Sequence, residues 1–472
     1  MKFDTSPPRG MRDLLPREVE LRDRATAEIL DVYRRYGFRR IETPALENIR
    51  LLLASDGGEN EKLIFKVLKR GAKLESASSG RDPELADLGL RFDLTVPLAR
   101  YYADNHAQLP DPFKAIQIGP VWRAERPQKG RFRQFTQCDI DILGVGSEVA
   151  EIELILATCE AISALGLEHP RVRLNDRRIL AAIAKSCGVE TDRHGAFLVT
   201  LDKLDKIGRD GVERELRAGG YTEGTVARLR ALLWPADPST PHASQATDSL
   251  ERLRRELPSV EPFAESLRTI MRTVADEAGQ RFDIAFDPTL VRGMGYYTGA
   301  IFEVAYAGYA SAIAGGGRYD RMIGKLLDRD VPACGFSIGF ERVISILQEK
   351  NGVRVGDRHH VALLFEAKDS PADVFAMARR LRNEGQVVSV TLKKKNVAKQ
   401  LDDLAAEGFD GYAIYQGGAS AGVKPLVRRA TRLDEKRHTE ERQEDQSRPR
   451  SSATGSARTP AVSFAPRTRA AR

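Results

Sequence analysis

The spacing of apolar residues changes character several times along this chain, and each change marks a different kind of packing. Val19, Leu21, Ala25, Ile29, Leu30 and Tyr33 recur at helical spacing over residues 18–36, and Gly37 follows as a stop signal. Residues 38–43 read as a short strand ended by Pro44. Residues 91–105 read as a strand end running into a helix, 114–122 and 132–143 as an antiparallel pair, and 148–165 as a strongly apolar helix. From about 175 to 280 helical patterns rich in Lys, Arg, Asp, Glu and Leu take over, interrupted by a loop over 235–248. Strand-like segments return at 282–286, 300–305 and 333–340. From about 359, VALLF, VVSVTL and YAIYQ alternate with two helical stretches, the pattern of a small α/β domain with a partly parallel sheet.

Several classes of protein are excluded by simple arithmetic. No window approaches the roughly 18–20 unbroken apolar residues that cross a bilayer. The opening MKFDTSPPRGMRDLLP has no apolar core of the signal-peptide kind, so a soluble cytoplasmic protein is expected. Cys138, Cys159, Cys187 and Cys334 are far apart without CxxC spacing, so neither a disulfide framework nor a zinc site is expected. The net charge is +7, but residues 427–472 carry 12 Lys/Arg against 6 Asp/Glu, leaving the rest of the chain nearly neutral. An RNA partner must therefore be argued from local basic clusters. The same tail is rich in Ser, Pro, Arg and Ala and poor in apolar groups, and is expected to be disordered.

Three separated segments carry the chemistry. Residues 37–46, GFRRIETPAL, join a helix to a strand closed by proline. Residues 121–135, VWRAERPQKGRFRQF, place five cations in eleven residues on the loop of a strand pair. Guanidinium groups bind phosphate oxygens in bidentate fashion and stay charged, so this loop suits a nucleotide and an RNA end. Residues 335–344, GFSIGFERVI, run a strand into a helix with Arg342 near the helix start, where peptide dipoles favour phosphate.

In this order the three segments resemble motifs 1, 2 and 3 of class II aminoacyl-tRNA synthetases. Residues 290–299, LVRGMGYYTG, resemble the histidine-specific signature of the histidyl-tRNA synthetase family, and AGGGRYD at 314–320 resembles its second signature. RFDLT at 91–95 resembles that family's histidine-binding loop, and Gln137 and Asp141 in QCDIDILG fall where the family places substrate contacts. Gly295 stands where the signature carries aspartate, which removes a carboxylate beside the substrate site.

The resemblance implies an α+β fold: a class II catalytic domain on an antiparallel sheet flanked by helices, with a helical insertion and a C-terminal α/β anticodon-binding domain. The catalytic domain would occupy 1–174 and 281–350, the insertion 175–280, the anticodon-binding domain 359–426 and the basic tail 427–472. The implied reaction is ATP-dependent activation of L-histidine and its transfer to the 3′ end of tRNA(His). Arg292, Arg123 and Arg342 would be the catalytic cations, Arg123 on the α-phosphate, Arg342 on the γ-phosphate and Arg292 between the α-phosphate and the attacking carboxylate. Asp93, Thr95 and Gln137 would bind the α-ammonium, Asp141 and Tyr297 the imidazole with Tyr296 lining the pocket, and Leu94, Arg123 and Arg292 would complete the histidine site. Glu125, Arg131 and Phe135 would complete the ATP site, with Phe135 stacked on the base and Mg²⁺ accompanying the phosphates. Gln128, Lys129, Lys393 and Lys394 would meet tRNA, and motif 1 would form a homodimer. No structural metal and no membrane partner are implied. A paralogue of this fold that serves as regulatory subunit of ATP phosphoribosyltransferase is the alternative, but such paralogues lose the signature arginine and the terminal domain, and Arg292 and that domain are both present here.

Deleting residues 430–472 should leave the melting temperature of the remaining chain nearly unchanged; a large loss would show that the tail packs.

Overall fold

The computed structural model describes residues 3–54, 59–78, 85–126, 132–234, 242–292, 295–309, 311–350, 359–417 and 422–426. Gln128, Lys129, Arg131 and the tail 427–472 lie outside the described residues. The chain forms two compact units, residues 1–355 and 356–472.

The first unit is organised by an eight-stranded sheet. Its strands lie in the order Arg39–Arg40, Phe113–Trp122, Gln134–Leu143, Ala333–Ile338, Ala314–Arg318, Ala300–Ala305, Arg171–Asp176 and Asp283–Phe286. The two outermost pairings are parallel and all those between them antiparallel. Helix Pro16–Arg35 opens with proline at its first turn, where a missing N–H costs nothing. It ends ahead of Gly37, whose φ of +80° reverses the chain into the edge strand. Helix Val149–Ala164 is apolar on nearly every side because it touches the sheet, helix Pro16–Arg35 and helix Glu261–Ala278 at once. A smaller antiparallel sheet, Leu46–Asn48, Ala86–Leu90 and Lys66–Leu68, stands beside it.

Residues 171–176 carry no strand assignment in the sequence reading, yet RVRLND is a strand of the main sheet. Val172 and Leu174 are fully buried while Arg171 and Arg173 alternate with them, the period of a strand with one covered face. Asp176 ends it and caps helix Arg177–Ser186 by accepting from Arg178 N at 2.8 Å. The helices that follow, as far as Ala278, share the apolar core of the sheet.

The second unit has strands Val387–Leu392, His360–Phe365 and Gly411–Ile414 in parallel, with Lys424–Pro425 antiparallel at one edge. His360–Phe365 is covered on both faces: Val361 and Leu363 meet helix Pro371–Asn383, and Ala362 and Leu364 meet Leu404 of helix Val397–Glu407.

One buried ion pair fastens the sheet to its covering helix. Arg318 donates from Nε and Nη2 to the Glu151 carboxylate, both at 2.6 Å, and reaches the carbonyls of Val145 and Ser147 at 3.0 Å. Removing Glu151 takes away the two-point partner of a buried charge and leaves Arg318, among the described residues, a single carboxylate contact with Asp320, 3.2 Å from its Nη1. E151A should therefore cost about 3–5 kcal/mol in urea unfolding; a loss under about 1 kcal/mol, the worth of a surface pair, would contradict this reading.

Candidate active site

Eleven of the residues expected at the site line one cleft of about 270 Å³ in the first unit: Asp93, Thr95, Arg123, Glu125, Phe135, Gln137, Asp141, Arg292, Tyr296, Tyr297 and Arg342. Leu94 does not line it; its side chain is buried and its carbonyl accepts from Gln117 Nε2 at 2.9 Å. Lys393 and Lys394 belong to the second unit. Lys393 Nζ donates to Glu366 at 2.7 Å, while the side chain of Lys394 is exposed beside Lys395 and Lys399.

The strand period sorts the acidic residues. Along Gln134–Leu143, Gln137, Asp139 and Asp141 face the cleft, and Cys138, Ile140 and Ile142 face the core. The neighbouring strand sets Gly335 opposite Asp141 and Ser337 opposite Asp139. A Cβ on Gly335 would strike Asp141 Oδ1, so glycine is what gives that carboxylate its place. Tyr319 O–H donates to Asp141 Oδ1 at 2.6 Å, while Asp141 Oδ2 is buried without a partner. Gln137 Nε2 donates to Asp139 Oδ2 at 3.1 Å, and Gln137 Oε1 is likewise buried and unpartnered. Two unpaired acceptors at one cleft call for a ligand rich in N–H groups, since a buried acceptor left alone costs about 1–3 kcal/mol.

Charge makes the same demand. Asp93, Asp139 and Asp141 are 2%, 4% and 3% exposed. Burial pushes the Asp139 carboxyl up to about 7, with Asp93 adding to the rise and hydrogen bonds from Ser337 and Gln137 opposing it. Burial, then Asp139 and Asp93, raise Asp141 well above the ordinary carboxylate range. Asp93 Oδ1 also accepts from Val96 N at 3.1 Å, in the first turn of helix Thr95–Asn105. Tyr296 packs edge-on against both Tyr297 and Tyr319, with ring centroids 4.9 and 6.0 Å apart.

Three guanidinium groups share the same cleft. Arg123 Nε donates to Phe92 O at 3.0 Å and its guanidinium lies over the Phe135 ring, 5.1 Å from the centroid. Arg342 stands in the first turn of helix Phe340–Glu349 and bonds to the carbonyl of Ala312. The Arg292 guanidinium occupies the space that a side chain at position 315 would fill. Burial works against its charge, but Tyr297 and Glu303 outweigh that and its pKa is raised. The glycine run of strand Ala314–Arg318 is thereby explained: Gly315 makes room for Arg292, and Gly317 for the Tyr297 ring. Gly295, in place of the expected aspartate, is exposed.

Sequence reasoning missed several members of this site. Asp139 lies at period two between Gln137 and Asp141, a signal that was available. Tyr319 lies inside the second signature without an assigned role. Glu341 receives both Arg22 guanidinium nitrogens at 2.8 Å and Thr136 N at 3.0 Å, tying the first helix to the start of helix Phe340–Glu349. No local pattern announces that pairing, since 319 residues separate its ends.

Comparison with known proteins identifies the family. The family model described as histidyl-tRNA synthetase matches residues 10–343. The histidine–tRNA ligase of Leifsonia xyli subsp. xyli (strain CTCB07) is 45% identical over 439 residues, 90% of this chain and 100% of that protein. The crystal structure of histidyl-tRNA synthetase from Nostoc sp. PCC 7120 superposes with a TM-score of 0.72 at 26% identity, over 93% of this chain and 100% of that one. A Bacillus halodurans structure described as an ATP phosphoribosyltransferase regulatory subunit/histidyl-tRNA synthetase shares the fold, with a TM-score of 0.68 at 20% identity, over 88% of this chain and 100% of that one. On the strength of the family match and of a relative this similar over nearly its whole length, the chain belongs to the histidyl-tRNA synthetase family.

Proposed function

We propose that the protein activates L-histidine with ATP and transfers it to the 3′ end of tRNA(His). The observation that carries this reading is one cleft holding three guanidinium groups together with two unpaired buried acceptors, Asp141 Oδ2 and Gln137 Oε1. Phosphates answer the first set, and the N–H groups of histidine answer the second.

Asp93, Thr95 and Gln137 receive the α-ammonium. Asp141 and Tyr297 receive the imidazole, with Tyr296 as a wall; Tyr319 holds one Asp141 oxygen and so aims the other at a ring N–H. A site that hydrogen-bonds both ring nitrogens rejects apolar analogues by about 10⁴–10⁵, because its own polar groups would be left unpaired, and no editing step is needed. ATP enters as its Mg²⁺ complex. Phe135 stacks on the base, Glu125 faces the nucleotide, Arg123 holds the α-phosphate and Arg342 the γ-phosphate. An oxygen of the histidine carboxylate attacks the α-phosphorus, the bond to the β-phosphate oxygen breaks, and pyrophosphate leaves. Arg292 stabilises the charge that builds between the α-phosphate and the attacking carboxylate. A terminal ribose hydroxyl of the tRNA then attacks the acyl carbon and AMP leaves. Catalysis is positioning and charge stabilisation, with no covalent intermediate on the protein.

The loop carrying Gln128, Lys129 and Arg131 is assigned to the acceptor end and the nucleotide, and helices between Arg177 and Ala278 to the acceptor stem. The second unit is assigned to the anticodon, with the exposed Lys394 as a phosphate contact and Lys393, already paired with Glu366, as its neighbour. A homodimer is supported by the small sheet beside motif 1, which leaves Leu46, Leu68 and Leu88 exposed. Among the described residues no helix is long and apolar enough to cross a membrane. The reaction belongs with translation in the cytoplasm.

Histidine-dependent ATP–pyrophosphate exchange, with purified protein and no tRNA, should occur with histidine alone among the amino acids. R292A should lower its kcat by about 10²–10³-fold while the melting temperature holds; unchanged turnover would remove Arg292 from the chemistry. Histidine binding without exchange in the wild type would favour the regulatory-subunit reading.

The site also predicts a pH dependence of stability. A carboxyl whose folded pKa is raised favours the folded state below its ordinary value of 3.8, and that contribution is lost as pH rises through about 7. The melting temperature of the unliganded protein should therefore fall between about pH 4 and about pH 8 more steeply than that of D139N. Equal slopes would remove Asp139 as the titrating group.

A further inference from the structure

A row of charged side chains crosses three neighbouring strands beside Arg292. Arg173 on strand Arg171–Asp176 is in register with Glu303 on Ala300–Ala305, and Glu303 is in register with Gly315 on Ala314–Arg318. Residues directly opposite in an antiparallel pair project to the same face, so Arg173, Glu303 and the bare Cα of Gly315 form one line. The Arg292 guanidinium lies on the bare end of that line, where position 315 has no side chain. Glu303 Oε1 accepts from Arg173 Nη1 at 2.7 Å, and Glu303 Oε2 lies 3.5 Å from Arg292 Nη1. Arg173 is fixed in turn by Asp287, 2.7 Å from its Nε, and by Asp205, 3.2 Å from its Nη1.

Arg292 needs such a partner. It lies outside any helix or strand, so no regular backbone ladder sets its direction. An arginine side chain has about 2 kcal/mol of rotamer entropy to lose on being held. Among the described residues, Glu303 is the carboxylate within ion-pair distance of it. The contact is long and uses one terminal nitrogen, and the Tyr297 hydroxyl also acts on the guanidinium, so Glu303 orients the group without occupying all of its donors. Glu303 itself does not line the cleft.

We propose that Glu303 is a positioning residue that holds Arg292 in its working orientation, and that Arg173 fixes Glu303 for that purpose. The inference rests on the role of Arg292 given above. Replacing Glu303 by glutamine keeps an acceptor for Arg173, which also retains Asp287 and Asp205, so the charge that loses its partner is that of Arg292.

The test is histidine-dependent pyrophosphate exchange on the full-length protein with R292A, E303Q, E303D and the double variant R292A/E303Q. E303Q should lower kcat by about tenfold to a hundredfold, the cost of a misplaced catalytic group, with KM for histidine and ATP within about threefold of wild type. E303D, which keeps the charge one methylene short, should fall between the two, and it carries the test alone if E303Q does not fold. The double variant should be no slower than R292A, because Glu303 acts through Arg292. If R292A is inactive but E303Q and E303D turn over as wild type, or if the two losses multiply, the positioning role is overturned. If R292A is itself active, the underlying reading of Arg292 has failed instead.

Discussion

Everything in the cleft depends on how closely strands Ala314–Arg318 and Ala333–Ile338 let other groups approach them. A Cβ at Gly315, Gly316, Gly317 or Gly335 would collide with Arg292, the Gly335 carbonyl, the Ala300 carbonyl or Asp141 respectively. Strands in a sheet lie about 4.8 Å apart, and their side chains normally fill the layer above them. Here bare backbone forms the floor, and polar side chains from strand Gln134–Leu143 and from the loop at Arg292 lie across it. The weak strand preference of glycine is offset by burial on both sides, with Phe302 and Phe336 stacked edge-on, their centroids 4.6 Å apart.

The second dependence is electrostatic. Three buried carboxylates and three guanidinium groups share one small volume, and not all are paired with one another. A fold selected for stability alone would neutralise Asp139 and Asp141 with nearby cations. This one leaves their pKa values raised, which destabilises the empty protein near neutrality and makes a cationic ligand with N–H donors a stabilising guest. The anchors that carry this cost are the Arg318–Glu151 pair, outside the cleft, and the hold of Arg22 on Glu341, which itself lines it.

Much of this was legible in the sequence where the signal is local. The pair Phe113–Trp122 and Gln134–Leu143 shows itself by two apolar runs around a cationic loop, and helix Val149–Ala164 by a strongly apolar stretch interrupted only by a few polar residues. Strand Arg171–Asp176 was not legible, because two of its first three residues are arginines and its end reads as a helix cap. Strand Ala314–Arg318 was recognised as a signature but not as a strand, since glycine carries no β pattern; its purpose is space, which only the fold displays. Lys393 was read as a phosphate contact from the charge run alone, and its pairing with Glu366 lies 27 residues away. Glu303 and Arg173 drew no attention for the same reason: each is an ordinary charged residue until the register of three strands aligns them.

The order of strands in the main sheet has a consequence for synthesis of the chain. Strand Gln134–Leu143 pairs early with Phe113–Trp122, but its other neighbour, Ala333–Ile338, emerges roughly 190 residues later. Strand Arg171–Asp176 waits for both of its neighbours, Asp283–Phe286 and Ala300–Ala305, while the helices between are made. At ~5–20 residues per second, the nascent chain carries open sheet edges for on the order of ten seconds or more. The intervening helices have mostly local contacts and fold quickly. They can cover the apolar face of the waiting strands before the sheet closes. The substrate cleft, built from both halves, comes into being only when nearly three quarters of the chain has left the ribosome, so neither histidine nor ATP can assist any earlier stage of folding.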